Sequence, residues 1–208
     1  MVSTVNQELP LQTAVHDGSI RGNARLPGES GVWVLICGDL MVFSLFFLTF
    51  IVYRNGSPTL YSQSQNLLNW RLGVVNTFLL LTSSWFVAMA VRAARRESAK
   101  RAPPLLLALA FLCGAGFVGV KILEYHERLT AGPSIAANEF FMFYFMYTGI
   151  HLLHVLIGLG VLLWLRHKTL QPDSPTTHDM ALIESGATFW HLVDMLWIIL
   201  FALLYLVR

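Results

Sequence analysis

Five runs of apolar residues, each close to the thickness of a bilayer when wound as a helix, divide this chain: about 31–53, 72–91, 104–125, 140–165 and 187–207. A helix rises about 1.5 Å per residue, so roughly 20 residues cross a hydrocarbon core ~30 Å thick. Backbone polar groups in that core find no water and are satisfied only within the segment itself, which makes each run a helix. The predicted fold is therefore all-α, an integral membrane bundle of five transmembrane helices. Composition agrees: 55% of the 208 residues are hydrophobic and 12% charged, a balance that a water-soluble domain of this length would hardly keep in solution. Residues 29–208 read as a single membrane domain with little chain left for anything outside the bilayer. Residues 1–28 are polar and lack the apolar region and cleavage site of a secretory signal, so they are expected to form an exposed cytoplasmic arm.

Basic residues set the direction of the helices, because cytoplasmic loops retain Lys and Arg during insertion. Arg21, Arg25, Arg92, Arg95, Arg96, Lys100, Arg101, Arg166 and Lys168 all fall on one side of the alternating spans. Arg54, Arg71, Arg128 and Arg208 fall on the other. The N-terminus is predicted cytoplasmic and the C-terminus outward. The basic segment between spans two and three also fits a docking or anionic-lipid surface. Between spans one and two, Asn55, Gly56, Ser57 and Pro58 mark a polar loop, and Pro103 and Pro104 suit a helix start.

Several functions are excluded early. A net charge of +2 with scattered basic residues gives no nucleic-acid surface. Cys37 and Cys113 lie in apolar runs on different spans, where a small buried side chain is the ordinary reading, and neither a disulfide framework nor a zinc site follows. The chain shows no phosphate loop, nucleophile triad or paired glycosidase carboxylates.

Function therefore has to be sought in the polar residues within the spans, since such groups cost several kcal/mol in hydrocarbon and face a partner, a bundle interior or water. They are Asp39 on span one, His151 and His154 on span four, and His191 and Asp194 on span five, with Glu184 at the mouth of span five. Steps of three and four put Tyr144, Tyr147, His151, His154 and Gly158 on one helix face. Glu184, Ala187, His191 and Asp194 make a matching stripe, with His191 and Asp194 spaced to share a hydrogen bond. The two seams are expected to face each other, and Trp190 and Trp197 to pack beside them. The histidines could be haem or metal ligands, or members of an interhelical hydrogen-bonded network. Asp39, ~12 Å into its span at helical rise, fits a proton relay and a structural hydrogen bond equally. Lys121 and Glu124, at i, i+3 near the outer surface, are expected to form a salt bridge or to snorkel. Asn76, Ser83, Ser84, Ala115 and Gly119 read as devices for close helix approach.

Taken in order, these segments resemble subunit III of the haem-copper oxidase superfamily along nearly the whole apolar length. Gly38-Asp39-Leu40-Met41-Val42-Phe43 resembles the family's acidic span, Leu72 to Ser84 with Val75-Asn76-Thr77 the next, and Glu124-Tyr125 the end of the third. Thr148-Gly149-Ile150-His151-Leu152-Leu153-His154-Val155 resembles the two-histidine helix, and Glu184 with Trp190-His191-Leu192-Val193-Asp194 and Trp197 the closing helix. The resemblance implies an accessory subunit without redox metal beside a haem-bearing catalytic subunit, with haem and copper held by that partner. It implies bound phospholipid, stabilisation of the catalytic core during turnover and support of proton uptake. By position, Asp39 takes the place of the family's buried acid, and Glu184, His151, His154, His191 and Asp194 that of its interhelical polar network.

Asp39 is one methylene shorter than the glutamate of mitochondrial-type relatives. The two N-terminal helices of the seven-helix form are missing, so partner helices would have to complete its lipid cleft. The short build, Arg25-Leu26-Pro27-Gly28-Glu29 and Phe141-Met142-Phe143-Tyr144-Phe145 look most like the branch associated with nitric oxide reductase gene clusters. Two other readings compete: a five-helix cytochrome b anchor ligating haem through His151, His154 or His191, and a proton-coupled transporter using Asp39, for which no inverted repeat is evident.

Overall fold

A computed structural model describes residues 30–95, 102–130, 138–171 and 177–206; the expected arm at 1–28 lies outside the described residues. Six α-helices follow in order: α1 (Ser30–Gly56), α2 (Pro58–Leu67), α3 (Trp70–Ala94), α4 (Ala102–Thr130), α5 (Glu139–Thr169) and α6 (Thr177–Phe201). A π-helical turn, Ala202–Leu206, ends α6. No strand occurs among the described residues. Five helices are long and apolar enough to cross a membrane: Gly31–Gly56, Trp70–Ala94, Ala102–Thr130, Glu139–Thr169 and His178–Leu206. They are the five predicted spans, lengthened at their ends. Apolar counting stops at the first charge, whereas the helix runs on through it into the interface. Arg166, His167 and Lys168 occupy the last turn of α5 and Asp179 the first turn of α6, each at the end where the helix dipole favours its charge.

The segment after span one differs from the expected loop. Pro58 starts a further helix at its first turn, where the missing N–H costs nothing, and α2 continues for ten residues. Its inner face is Tyr61, Ser64 and Gln65, followed by Leu68, all buried. Those spacings are helical, but the face is mostly polar and therefore invisible to an apolar count.

Helices α3, α4, α5 and α6 close a four-membered bundle in which each packs on the next and α6 returns to α3. Its tightest point is Trp190 of α6, whose indole lies over Gly114 of α4 and Gly158 of α5 with no room for a Cβ at either. Ser83 Oγ donates to the Ala110 carbonyl at 2.7 Å and so ties α3 to α4. Gly119, read as a close-approach residue, faces outward with open space instead.

Helix α1 stands outside this bundle, held to α5 by aromatic rings. Phe46 stacks on Tyr147 with centroids 5.2 Å apart, Phe50 meets Phe140, Phe143 and Tyr147, and Tyr53 meets Phe143. Tyr147 Oη also donates to the Phe46 carbonyl at 2.7 Å. Because α1 has only one packed face, much of it is left outward, and Cys37, expected to be buried, is exposed.

Helix α2 covers one end of the assembly. Tyr61 lies edge-on to Phe50 and Phe140, and Asn138, which caps α5 through the Phe140 N–H, donates from Nδ2 to Ser64 Oγ at 2.8 Å. Gln65 Nε2 donates to the carbonyls of Leu203 and Leu204 in the π-turn, near the chain end where helical carbonyls lack partners.

Burial, with Glu139 and Tyr53 adding to it, pushes the Tyr61 phenol up to about 12. Folding thus favours its neutral form, so its contribution to stability is complete below pH ~10 and is lost as pH rises through the folded value. Melting in detergent is expected to fall more steeply between pH 10 and 12 for the wild type than for Tyr61→Phe; equal slopes would contradict this.

Candidate functional site

Polar side chains gather at three places in this fold. The first is fully inside. Lys121 and Glu124 sit one turn apart on α4, 1% and 0% exposed, with Nζ 2.8 Å from Oε2. Lys121 also donates to the phenol oxygens of Tyr144 at 3.1 Å and Tyr205 at 3.3 Å, and Tyr205 donates to Glu124 Oε1 at 2.6 Å. All three ammonium protons and both carboxylate oxygens are engaged, and the cation also lies 4.9 Å from the Trp197 ring. The expected salt bridge is present, but these residues do not snorkel at a surface. They point into the bundle, where α5 and the π-turn bring the two phenols over them. Tyr205 was missed because a single tyrosine near the end of an apolar run carries no spacing signal.

The second place joins α1 to α5. His154 Nδ1 lies 2.8 Å from the Ile150 carbonyl, which can only accept, so Nδ1 carries its hydrogen. Nε2 then faces Asp39 Oδ2 at 3.4 Å, with both side chains about one-fifth exposed. The approach is within ion-pair range without the alignment of a hydrogen bond. Phe43 packs edge-on to His154.

A third place lies between α3 and α6. His191 Nδ1 is 2.5 Å from Ser84 Oγ, and Ser84 also faces the Asp194 carboxyl. Three turns toward the basic end, Arg95 grips Glu184 Oε1 through Nη2 at 2.8 Å and Nε at 3.2 Å. His191 and Asp194 both turn toward Ser84, and no hydrogen bond joins them to each other among the described residues.

His151 joins none of these. Its buried ring lies between Phe117, 5.8 Å away and edge-on, and Trp197, 5.4 Å away, and neither nitrogen has a hydrogen-bond partner among the described residues. Of the expected network, then, Glu184, His191 and Asp194 share the α3–α6 face, His154 pairs with Asp39, and His151 stands apart. The two seams do not meet. The α5 stripe divides between two faces, with Tyr144, His151 and Gly158 turned toward α4 and α6 and Tyr147 and His154 toward α1, while Glu184, His191 and Asp194 of α6 turn toward α3.

Haem ligation fits this geometry poorly. An axial imidazole needs a free nitrogen directed at an open plane, whereas His151 is closed in by two rings, His154 faces Asp39, and His191 is tied through Nδ1 to Ser84. Among the described residues, no three His, Cys, Asp or Glu side chains converge as a metal site would require.

Comparison with known proteins bears on the same residues. The family model described as cytochrome c oxidase subunit III matches residues 14–207. Subunit 3 of a quinol oxidase from Bacillus spizizenii is 33% identical over 180 residues, covering 85% of each chain. Cytochrome bo(3) ubiquinol oxidase subunit 3 of Pseudomonas aeruginosa is 30% identical over 185 residues, 85% of this chain and 83% of that one. Cytochrome c oxidase subunit 3 of Bacillus sp. (strain PS3) is 26% identical over 190 residues, 88% and 89% of the two chains. With a family match spanning all five helices and the residues at all three polar places, the chain belongs to the cytochrome c oxidase subunit III family.

Proposed function

We propose that this chain is the non-catalytic accessory subunit of a haem-copper respiratory oxidase, or of a related nitric oxide reductase system, in a bacterial inner membrane. The observation that carries the reading is the family match over residues 14–207. The packing is consistent with it: His154 faces Asp39, His191 is tied to Ser84 and His151 is closed in by Phe117 and Trp197, which supports redox chemistry residing in a haem-bearing and copper-bearing partner. Relatives named for quinol and for cytochrome c oxidases lie at similar distances, and the motif at Phe141 to Phe145 supports the nitric oxide reductase-associated branch. Arg92, Arg95, Arg166 and Lys168 at one end, against Arg54, Arg71 and Arg128 at the other, support a cytoplasmic N-terminus. Bound phospholipid belongs to the same reading, in keeping with the exposed apolar faces of α1 and α4.

Within this role, the Asp39–His154 pair at the seam between α1 and α5 supports proton uptake. Asp39→Ala is expected to leave assembly and initial turnover largely intact and to shorten the active lifetime of the complex. Asp39→Asn, which keeps the shape but fixes the amide as a donor to Nε2, should assemble equally well and inactivate as fast as the alanine variant. The proposal is tested by stripping the chain from the complex and adding it back. Oxidase activity should start near its normal rate, decay sooner without the chain, and regain its lifetime on readdition; an unchanged lifetime would count against the accessory role.

A further inference from the structure

Asn76 of α3 and His151 of α5 are completely buried. Neither the amide nitrogen and oxygen of Asn76 nor the two ring nitrogens of His151 have a hydrogen-bond partner among the described residues. Buried polar groups are as a rule paired, since leaving one bare forfeits its hydration with nothing in return. A bundle surrounded by hydrocarbon offers no bulk water to make up the loss.

The two side chains stand at one level of the four-helix bundle. Thr77, which follows Asn76, accepts the indole N–H of Trp197 at 3.1 Å, and the Trp197 ring lies 5.4 Å from the His151 ring. Phe117 of α4 meets both rings edge-on, 4.8 Å from Trp197 and 5.8 Å from His151. Helices α3 and α5 are diagonal in the bundle, so the amide and the imidazole approach its interior from opposite corners while Phe117 and Trp197 occupy the other two.

The neighbours at this level have no hydrogen bond to give. Trp197 spends its N–H on Thr77, Phe117 is hydrocarbon, and Lys121, with its ammonium 4.9 Å from the Trp197 ring, spends its three protons on Glu124, Tyr144 and Tyr205. An amide and a neutral imidazole each donate and accept, so a group that satisfies both has to do the same. It also has to be small enough for a packed interior, and uncharged, because a further ion there would need its own compensation. Water meets all three conditions, and buried water in proteins sits at otherwise unsatisfied groups of this kind, with about three hydrogen bonds per molecule.

We propose that the centre of the bundle is a water-binding site, in which at least one internal water lies between Asn76 and His151, accepting from one side chain and donating to the other. Phe117 and Trp197 close the site at its sides. The bridge ties α3 to α5 across the bundle diagonal, a link that neither side chain makes directly.

Radiolysis tests the site, because a hydroxyl radical formed from an internal water oxidises the side chains beside it however deeply they are buried. The purified full chain in mild detergent is exposed to a synchrotron X-ray pulse, digested and read by mass spectrometry. Phe117, Phe50 and Phe141 are all 0% exposed and have the same intrinsic reactivity. Phe117 is expected to be oxidised several-fold faster than Phe50 and Phe141. The double variant Asn76→Leu with His151→Leu should bring Phe117 down to their rate, while His151→Gln, which keeps a donor and an acceptor, should preserve the fast oxidation. A wild-type Phe117 that reacts as slowly as Phe50 and Phe141 would overturn the proposal without recourse to any variant. So would a fast Phe117 that is unchanged in the double variant, since the radical would then come from water held by other groups.

Discussion

Replacing Lys121 by methionine is expected to destabilise the folded chain by about 3–5 kcal/mol, because it leaves the Glu124 carboxylate unpaired in a fully buried position. The cost lies in the stranded charge more than in the lost contact. Glu124 would keep one hydrogen bond, from Tyr205, and lose the cation that offsets its desolvation. The double variant Lys121→Met with Glu124→Leu removes both charges at similar volume and should recover most of that loss, since two apolar side chains need no compensation in this interior. Denaturation midpoints in a mild detergent for the wild type, the single and the double variant measure the coupling. A double variant less stable than the single one would show that the cluster stabilises the fold by something other than mutual neutralisation.

Gly158→Ala is the second large effect. A Cβ at this position would stand 2.6 Å from Cε3 and 2.7 Å from Cζ3 of Trp190, while on its other side the same indole approaches the Gly114 position to 2.9 Å. The ring is held between two helix backbones and cannot step aside, so α5 and α6 have to separate. Overpacking of this kind costs about 1–3 kcal/mol, and the clamped ring puts the expected loss at the upper end. Gly160→Ala, two residues along the same helix with nothing within reach of its Cβ, supplies the control and should be neutral. Adding Trp190→Phe to Gly158→Ala frees the space and should restore part of the midpoint; no recovery would mean that the glycine matters for a reason other than the ring.

The five spans could be read from the sequence because hydrocarbon thickness imposes a length and an apolar content on each, independent of tertiary context. Their ends could not, since the charged residues that stop an apolar count are the ones a helix places at its termini. Helix α2 was hidden for a related reason: Tyr61, Ser64 and Gln65 are spaced for a helix face, but Ser64 and Gln65 are buried by hydrogen bonds to Asn138 and to the π-turn, and Tyr61 by the rings of Phe50 and Phe140. Among the site residues, local pairs were legible and distant ones were not. Lys121 and Glu124 share a helix turn and were paired at once, while their burial depended on Tyr144 and Tyr205 arriving from elsewhere. The Asp39–His154 contact spans 115 positions and has no local signature. Periodicity draws the polar stripe of α6 but says nothing about which neighbour a stripe meets, and His191 meets Ser84 of α3.

The accessory role is tested most directly by isolating the tagged chain from its native membrane in a gentle detergent and recording an absorption spectrum before and after the complex is dissociated. The account predicts a haem-bearing chain in the intact preparation, and loss of the Soret band from this chain once that partner is removed. A Soret band that stays with the isolated chain, or the absence of any haem-bearing partner under every respiratory growth condition, would contradict it.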